Sequence, residues 1–354
     1  MRMWMTLLSF WMSFQVTPEK IVSYLERTCS VQQNNTEYIT PEALRVASVQ
    51  IRMRNYQDLK SYLDDMLSLT EQAVKDKAQL VVFPEYVGLL AMTFLPGYKK
   101  LFNWLLDGKK PESLDEVNIK PYKMEEMAEY FQNYIYETYV CTFGTLARLL
   151  HVYIAAGSCI LCEGKTLYNR SILFGPEGEP VGMQDKTAAL CLDQNIGVKP
   201  SSHIEIFETP MGKISIVLGS DAYYFENVKA AAEQDVRLIL VPDSRGGVMP
   251  DIVRCRAEEN GIFAVYSCYS SPKNENVKAG IMAPFSMTPE HTGTFAQTKD
   301  HESGTVSARL NLEKLPGRTL EANPRFLAGD YLHSYVYSGK FPMPRKISGL
   351  LGSP

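Results

Sequence analysis

The sequence predicts an α/β protein made of stacked sheets covered by helices, and three observations carry that expectation. Short apolar runs rich in β-branched residues (LRVASVQIR, AQLVVF, KISIVL, RLILVP, IFAVYS) have the length and composition of buried strands. Longer stretches between some of them place apolar residues at helical spacing, as helices packed on a sheet do. Elsewhere, consecutive strand patterns are separated only by Gly- and Pro-containing turns, which makes hairpins. A single doubly wound parallel sheet needs a crossover helix between neighbouring strands, so the hairpins argue for more than one layer of sheet.

Composition narrows the function classes. The chain has 354 residues, 45% of them hydrophobic and 21% charged, enough for a substantial core in one large domain or two. A formal net charge of -4 without a basic stripe argues against nucleic-acid binding and points to a small-molecule partner. Seven cysteines, odd in number and scattered through apolar segments, fit reduced thiols and a cytoplasmic location rather than a disulfide framework. Cys159 and Cys162 form a CxxC but lack a second cysteine pair, so they read as buried strand thiols; no metal or other cofactor is expected. The apolar start MRMWMTLLSFWMSF is too short to span a bilayer, and membrane association is not expected.

Taken in order, residues 1–42 read as an N-terminal helical extension, in which TPEKIVSYLERT has a Thr cap and Pro at the first helical position. LRVASVQIR alternates as a strand, and the stretch from Tyr56 to Lys77 carries a helical apolar stripe. AQLVVFPEYVG is a buried strand that delivers Glu85 at its C-terminal end, where α/β folds build sites. Residues 89–122 lack periodicity and read as a lid-like insertion; a long helical region follows. VYIAAGSCIL, TLYNRSILFG and VGMQDKTA read as strands, the last two joined by PEGEP and ending at Lys186. KISIVLGSDAYYFE reads as strand, tight turn and helix, with the turn at Gly219, Ser220 and Asp221. RLILVPDS is a buried strand ending at Asp243, and DIVRCRAEENG is a helix with Gly261 as its C-cap. IFAVYSCYS, AGIMAP, GTFAQT and GTVSARLN complete the strands, and residues 313–354 form a C-terminal arm.

Three strand ends, at Glu85, Lys186 and the Gly219 turn, now stand in an order that resembles the nitrilase superfamily of carbon–nitrogen hydrolases. The resemblance covers residues 43–312 and rests on VVFPEY, YNRSILFGPEGEPVGMQDKTA, GSDAYYFE and RCRAEENGIFAVYS. It implies a four-layer αββα sandwich that assembles into a homodimer or larger homo-oligomer. It also implies a Glu acting as general base, a Lys stabilising the tetrahedral intermediate, and a Cys nucleophile at the strand–helix turn. By motif match Glu85 takes the first role and Lys186 the second. With Asp221 and Glu226 aligned, the nucleophile position falls on Gly219, which has no side chain to attack with. A second family Glu has only Asp193 as its counterpart, and the His that commonly follows the Lys is missing.

The expectation is therefore a family member that binds a small amide-, carbamoyl- or carboxylate-like ligand, with family catalysis lost or impaired. Asp221, Tyr223, Cys191 and Cys268 are the candidate ligand contacts. The alternatives are an active C–N hydrolase using a displaced nucleophile (Cys191, Cys268 or Ser220) or a water activated by Glu85, and a structural or regulatory oligomer subunit.

Overall fold

The computed structural model describes residues 17–31, 39–93, 121–189, 192–244, 246–270 and 277–315. The sheet runs in the order β4, β5, β3, β2, β1, β10, β9, β8, β7. In chain order these strands are β1 (Leu44–Arg52), β2 (Leu80–Val82), β3 (Tyr153–Ala155), β4 (Cys159–Glu163), β5 (Thr166–Phe174), β6 (Pro180–Asp185), β7 (Phe207–Thr209), β8 (Gly212–Ile216), β9 (Leu238–Pro242) and β10 (Phe263–Ser270). The strands from β3 to β8 along this path are parallel, while β6 is added antiparallel to β5. β13 (Gly304–Leu310) lies antiparallel to β1, and β11 (Gly280–Met282) and β12 (Thr294–Gln297) extend from β10.

Among the described residues the two halves of this sheet are paired strand to strand where Gln50, Ile51 and Arg52 of β1 run beside Cys268, Tyr269 and Ser270 of β10, and they fold over one another. Strand alternation then sorts the side chains into layers. Val46, Leu80, Val82, Leu238, Leu240, Phe263 and Val265 meet in the apolar layer between the two half-sheets. Their neighbours Ala47, Val49 and Val81 face outward under α1 (Pro18–Thr28), α2 (Leu59–Lys75) and α4 (Pro121–Leu150). On the opposite side Ile239, Val241 and Ala264 face α6 (Phe225–Glu233) and α7 (Met249–Asn260). Three apolar layers separating helix, sheet, sheet and helix make an αββα sandwich, as the resemblance implied.

The helices begin and end where local chemistry requires. Thr17 caps α1 ahead of Pro18, and Ile21 and Leu25 bury that helix in the same core as α2 and α4, so this part of the extension is a layer of the domain. Asp58 and Ser61 form a reciprocal capping box at the start of α2, satisfying backbone donors that the helix leaves open. α7 ends at Gly261, whose φ of 60° is the left-handed C-cap the sequence suggested.

Two expectations need correction. VYIAAGSCIL, read as one strand, is divided into β3 and β4 at Gly157, whose φ is +60°. A Cβ there would stand 1.9 Å from the carbonyl oxygen of Pro84, so the chain turns on a glycine to make room for the segment that delivers Glu85. Of the lid-like insertion expected over residues 89–122, Leu89, Leu90, Ala91 and Met92 are buried in the core, the first two within α3 (Val87–Leu90). Its remainder, residues 94–120, lies outside the described residues, as does the C-terminal arm from 316 onward. Among the described residues no helix is long and apolar enough to cross a membrane.

Candidate functional site

Glu85 lies three residues beyond β2, Lys186 directly after β6, Gly219 three residues beyond β8, and Asp243 directly after β9. β2, β8 and β9 are parallel members of the folded sheet, so their C-terminal ends converge on one place, as is usual for α/β sites. Glu85, Lys186, Asp193, Asp221 and Asp243 are all fully buried.

Lys186 is held between two carboxylates, with Nζ 2.5 Å from Glu85 Oε1 and 3.2 Å from Asp193 Oδ2. Burying charges is costly unless they are paired and hydrogen-bonded, and the surroundings meet that need. Asn169 Nδ2 donates to Glu85 Oε1 at 2.9 Å, and Ser244 Oγ donates to Glu85 Oε2 at 2.6 Å. The Tyr86 hydroxyl donates to Asp193, and the Tyr269 hydroxyl donates to the Glu85 carbonyl at 2.8 Å. Tyr86 itself has a φ of +60°, unusual for a non-glycine residue, and its backbone N–H is fixed by the Ser158 hydroxyl at 2.8 Å.

The turn after β8 opens a 3₁₀ segment, Gly219–Tyr223, before α6 begins. Gly219 adopts φ +45°, and a Cβ placed on it would lie 2.8 Å from Glu85 Oε2 and 3.2 Å from Asp243 Oδ1. A Cβ at this position would therefore press on the end of the Glu85 side chain, which would have to shift to admit it. Asp243 Oδ2 accepts from the Gly246 N–H at 2.8 Å and from the Tyr266 hydroxyl at 2.7 Å.

Asp221 anchors the loop that follows Lys186, accepting from the backbone N–H groups of Thr187 at 3.0 Å and Ala188 at 2.7 Å. Burial pushes its carboxyl up to about 6, against the opposing pull of Lys186 and these two N–H groups; nearby Glu85 adds to the rise. Asn227 ties the same loop to the turn, with Nδ2 2.9 Å from both Thr187 Oγ1 and the Asp221 carbonyl.

Other expected site residues are placed differently. Ser220 is buried with its hydroxyl donating to the Ala188 carbonyl at 3.1 Å. Cys268 is buried in the layer beneath α6 and α7, where burial holds its thiol well above the ordinary range and so keeps it protonated. The Tyr223 side chain is 40% exposed, in contrast to the fully buried Glu85 and Lys186. Cys191 lies outside the described residues. Among the described residues no cluster of His, Cys, Asp and Glu could hold a metal ion.

The carbon-nitrogen hydrolase family profile matches residues 45–315. This chain belongs to the carbon-nitrogen hydrolase family. Among similar proteins, a probable hydrolase of Bacillus subtilis is 23% identical over 300 residues, which is 80% of this chain and 53% of that protein. Nitrilase 1 of Arabidopsis thaliana is 29% identical over 196 residues, 53% of this chain and 51% of that protein. This hydrolase-family chain thus spans about half the length of the curated relatives it matches. An amidase from Nesterenkonia sp., solved with acrylamide added at its active-site cysteine, superposes with a TM-score of 0.55 at 18% identity, covering 77% of this chain and 96% of that one. A nitrilase-superfamily member from Saccharomyces cerevisiae gives a TM-score of 0.55 at 16% identity, covering 82% and 98%. These structural likenesses establish the shared fold.

Sequence reasoning missed Asn169, Ser244, Tyr86, Tyr269 and the role of Asp243 as neighbours of Glu85, Lys186, Asp193 and Gly219. Asn169 had a signal. It alternates with Ser171 and Leu173 on β5, so a polar pair shares a strand face with a buried apolar residue. Tyr269 and Ser244 had none, because a strand tyrosine and a loop serine are unremarkable until another chain segment is packed against them.

Proposed function

We propose that this chain binds a small amide-, carbamoyl- or carboxylate-like molecule at the Glu85–Lys186 site and does not carry out covalent acyl transfer. One observation carries the reading: the turn position that aligns with the family nucleophile is Gly219, and Glu85 Oε2 stands 2.8 Å from where its Cβ would be. Covalent catalysis needs an attacking group with a base beside it. Here the turn position carries no attacking group, and the base stands directly against it. The nearby hydroxyl and thiol do not substitute, since Ser220 Oγ donates to a backbone carbonyl and burial keeps the Cys268 thiol protonated. Glu85 and Lys186 remain fully buried and paired, so polar groups able to orient a ligand are retained.

The test is hydrolysis of a panel of amides, N-carbamoyl compounds and nitriles by the intact chain and by Glu85→Ala. The expected result is no turnover above buffer with either protein, together with thermal stabilisation of the unaltered chain by at least one compound. Turnover that disappears in Glu85→Ala overturns the non-catalytic reading.

A further inference from the structure

We propose that Asn169 is a specificity-determining residue of this site, its Oδ1 accepting an N–H from the ligand, so that a primary amide or carbamoyl end is taken in preference to a carboxylate. The proposal rests on the ligand-binding reading above.

Asn169 is fully buried on β5, and its Nδ2 donates to Glu85 Oε1 at 2.9 Å. Chemistry fixes which end of the carboxamide faces Glu85. An ionised carboxylate only accepts hydrogen bonds, so the NH2 end must point at it; the flipped group would set two acceptors against each other. The other end, Oδ1, is then a buried acceptor close to the same carboxylate, and among the described residues it has no hydrogen-bond partner. Buried polar atoms are rarely left in that state, and each one that is calls for an explanation. Ser171 Oγ, two residues along the same strand face, is also buried and, among the described residues, without a partner.

The neighbouring groups set the sign of the preference. Glu85 and Asp193 already share Lys186, and Asp243 Oδ1 faces the same turn. A ligand carboxylate would bring another negative charge into this fully buried cluster and would offer nothing to Asn169 Oδ1. A primary amide or carbamoyl group has N–H donors for that oxygen and carries no charge.

Calorimetric titration with propionamide, propionate and propionitrile tests the proposal, using the intact chain and the variants Asn169→Ala and Ser244→Ala. Propionamide is expected to bind at least about tenfold more tightly than propionate, the scale of one buried hydrogen bond. Asn169→Ala should weaken propionamide about tenfold and leave propionitrile, which has no N–H, nearly unchanged. Ser244→Ala removes a different bond from Glu85 and should shift all three probes together. Equal binding of propionamide and propionate, or equal weakening of every probe by Asn169→Ala, overturns the role of Asn169 while leaving the binding reading intact. Equal binding is also the outcome if a water satisfies Asn169 Oδ1. Binding of none of the three overturns the binding reading and this inference with it. If Asn169→Ala does not fold, Asn169→Ser takes its place, with the same expected loss for propionamide and none for propionitrile, and equal weakening of both overturns the role of Asn169.

Discussion

The two sides of the site differ in what they carry. On the side of β2 and β6, Glu85 and Lys186 hold a buried ion pair supported by Asn169, Ser244 and Asp193. On the side of β8 and β9, the backbone of the turn is present and Asp221 still anchors the loop after Lys186, but the apex carries no side chain. The difference teaches that the two sides respond to different forces. The charged side is self-sustaining, because removing any one partner would leave another buried charge uncompensated. The turn side supplies backbone geometry, the Asp221 anchor and, from beyond β9, the Ser244 hydroxyl, none of which depends on a side chain at the apex.

The largest expected effect breaks the charged side. Lys186→Met leaves Glu85 and Asp193 buried together without their shared cation and should cost about 3–5 kcal/mol of stability in urea unfolding. Adding Glu85→Gln to that variant should return part of the loss, and a single variant as stable as the parent chain would remove the claim that the pair sustains itself.

A smaller effect probes the anchor between the two sides. The Asp221 carboxyl is raised from 3.8 to about 6 in the folded protein, so the folded state holds this proton more tightly than the unfolded chain does. The contribution is fully present below pH 3.8 and is lost as pH rises through about 6, a difference on the order of 3 kcal/mol. Urea unfolding measured across that interval should show this slope in the parent chain and lose it in Asp221→Asn. The same slope in both proteins would assign it to another group.

The smallest effect tests the turn. Gly219→Ala adds a Cβ at φ +45°, against Glu85 Oε2, and should cost about 1–2 kcal/mol from the left-handed backbone alone. Gly219→Cys carries the same backbone strain and the same contact with Glu85, so restored amide turnover is not expected from it. Turnover in that variant would show that Glu85 withdraws readily and that the two sides are less tightly coupled than their packing implies.

Much of this protein was legible before any packing was known, because periodicity and end signals are local. The helical stripe of α2, the β5–β6 hairpin, the strands β9 and β10 and the Gly261 cap all come from residue types at fixed spacing. Glu85, Lys186 and the Gly219 turn were visible for the same reason, each closing a recognisable strand. The division of VYIAAGSCIL was hidden, since the demand on Gly157 comes from Pro84, far away in the chain. Ser244 and Tyr269 were hidden in the same way, being defined by what they touch.

By itself, then, the sequence determined the alternation of strands and helices, the family, and the absence of a side chain at the apex of the turn. Only the tertiary structure decided what stands against that place. Glu85 and Gly219 are more than a hundred residues apart, and no local pattern specifies that folding one half-sheet over the other brings the carboxylate of the first onto the bare backbone of the second. Side-chain identity is written along the chain, but which space is left empty and which group enters it depends on packing between segments that are remote from one another.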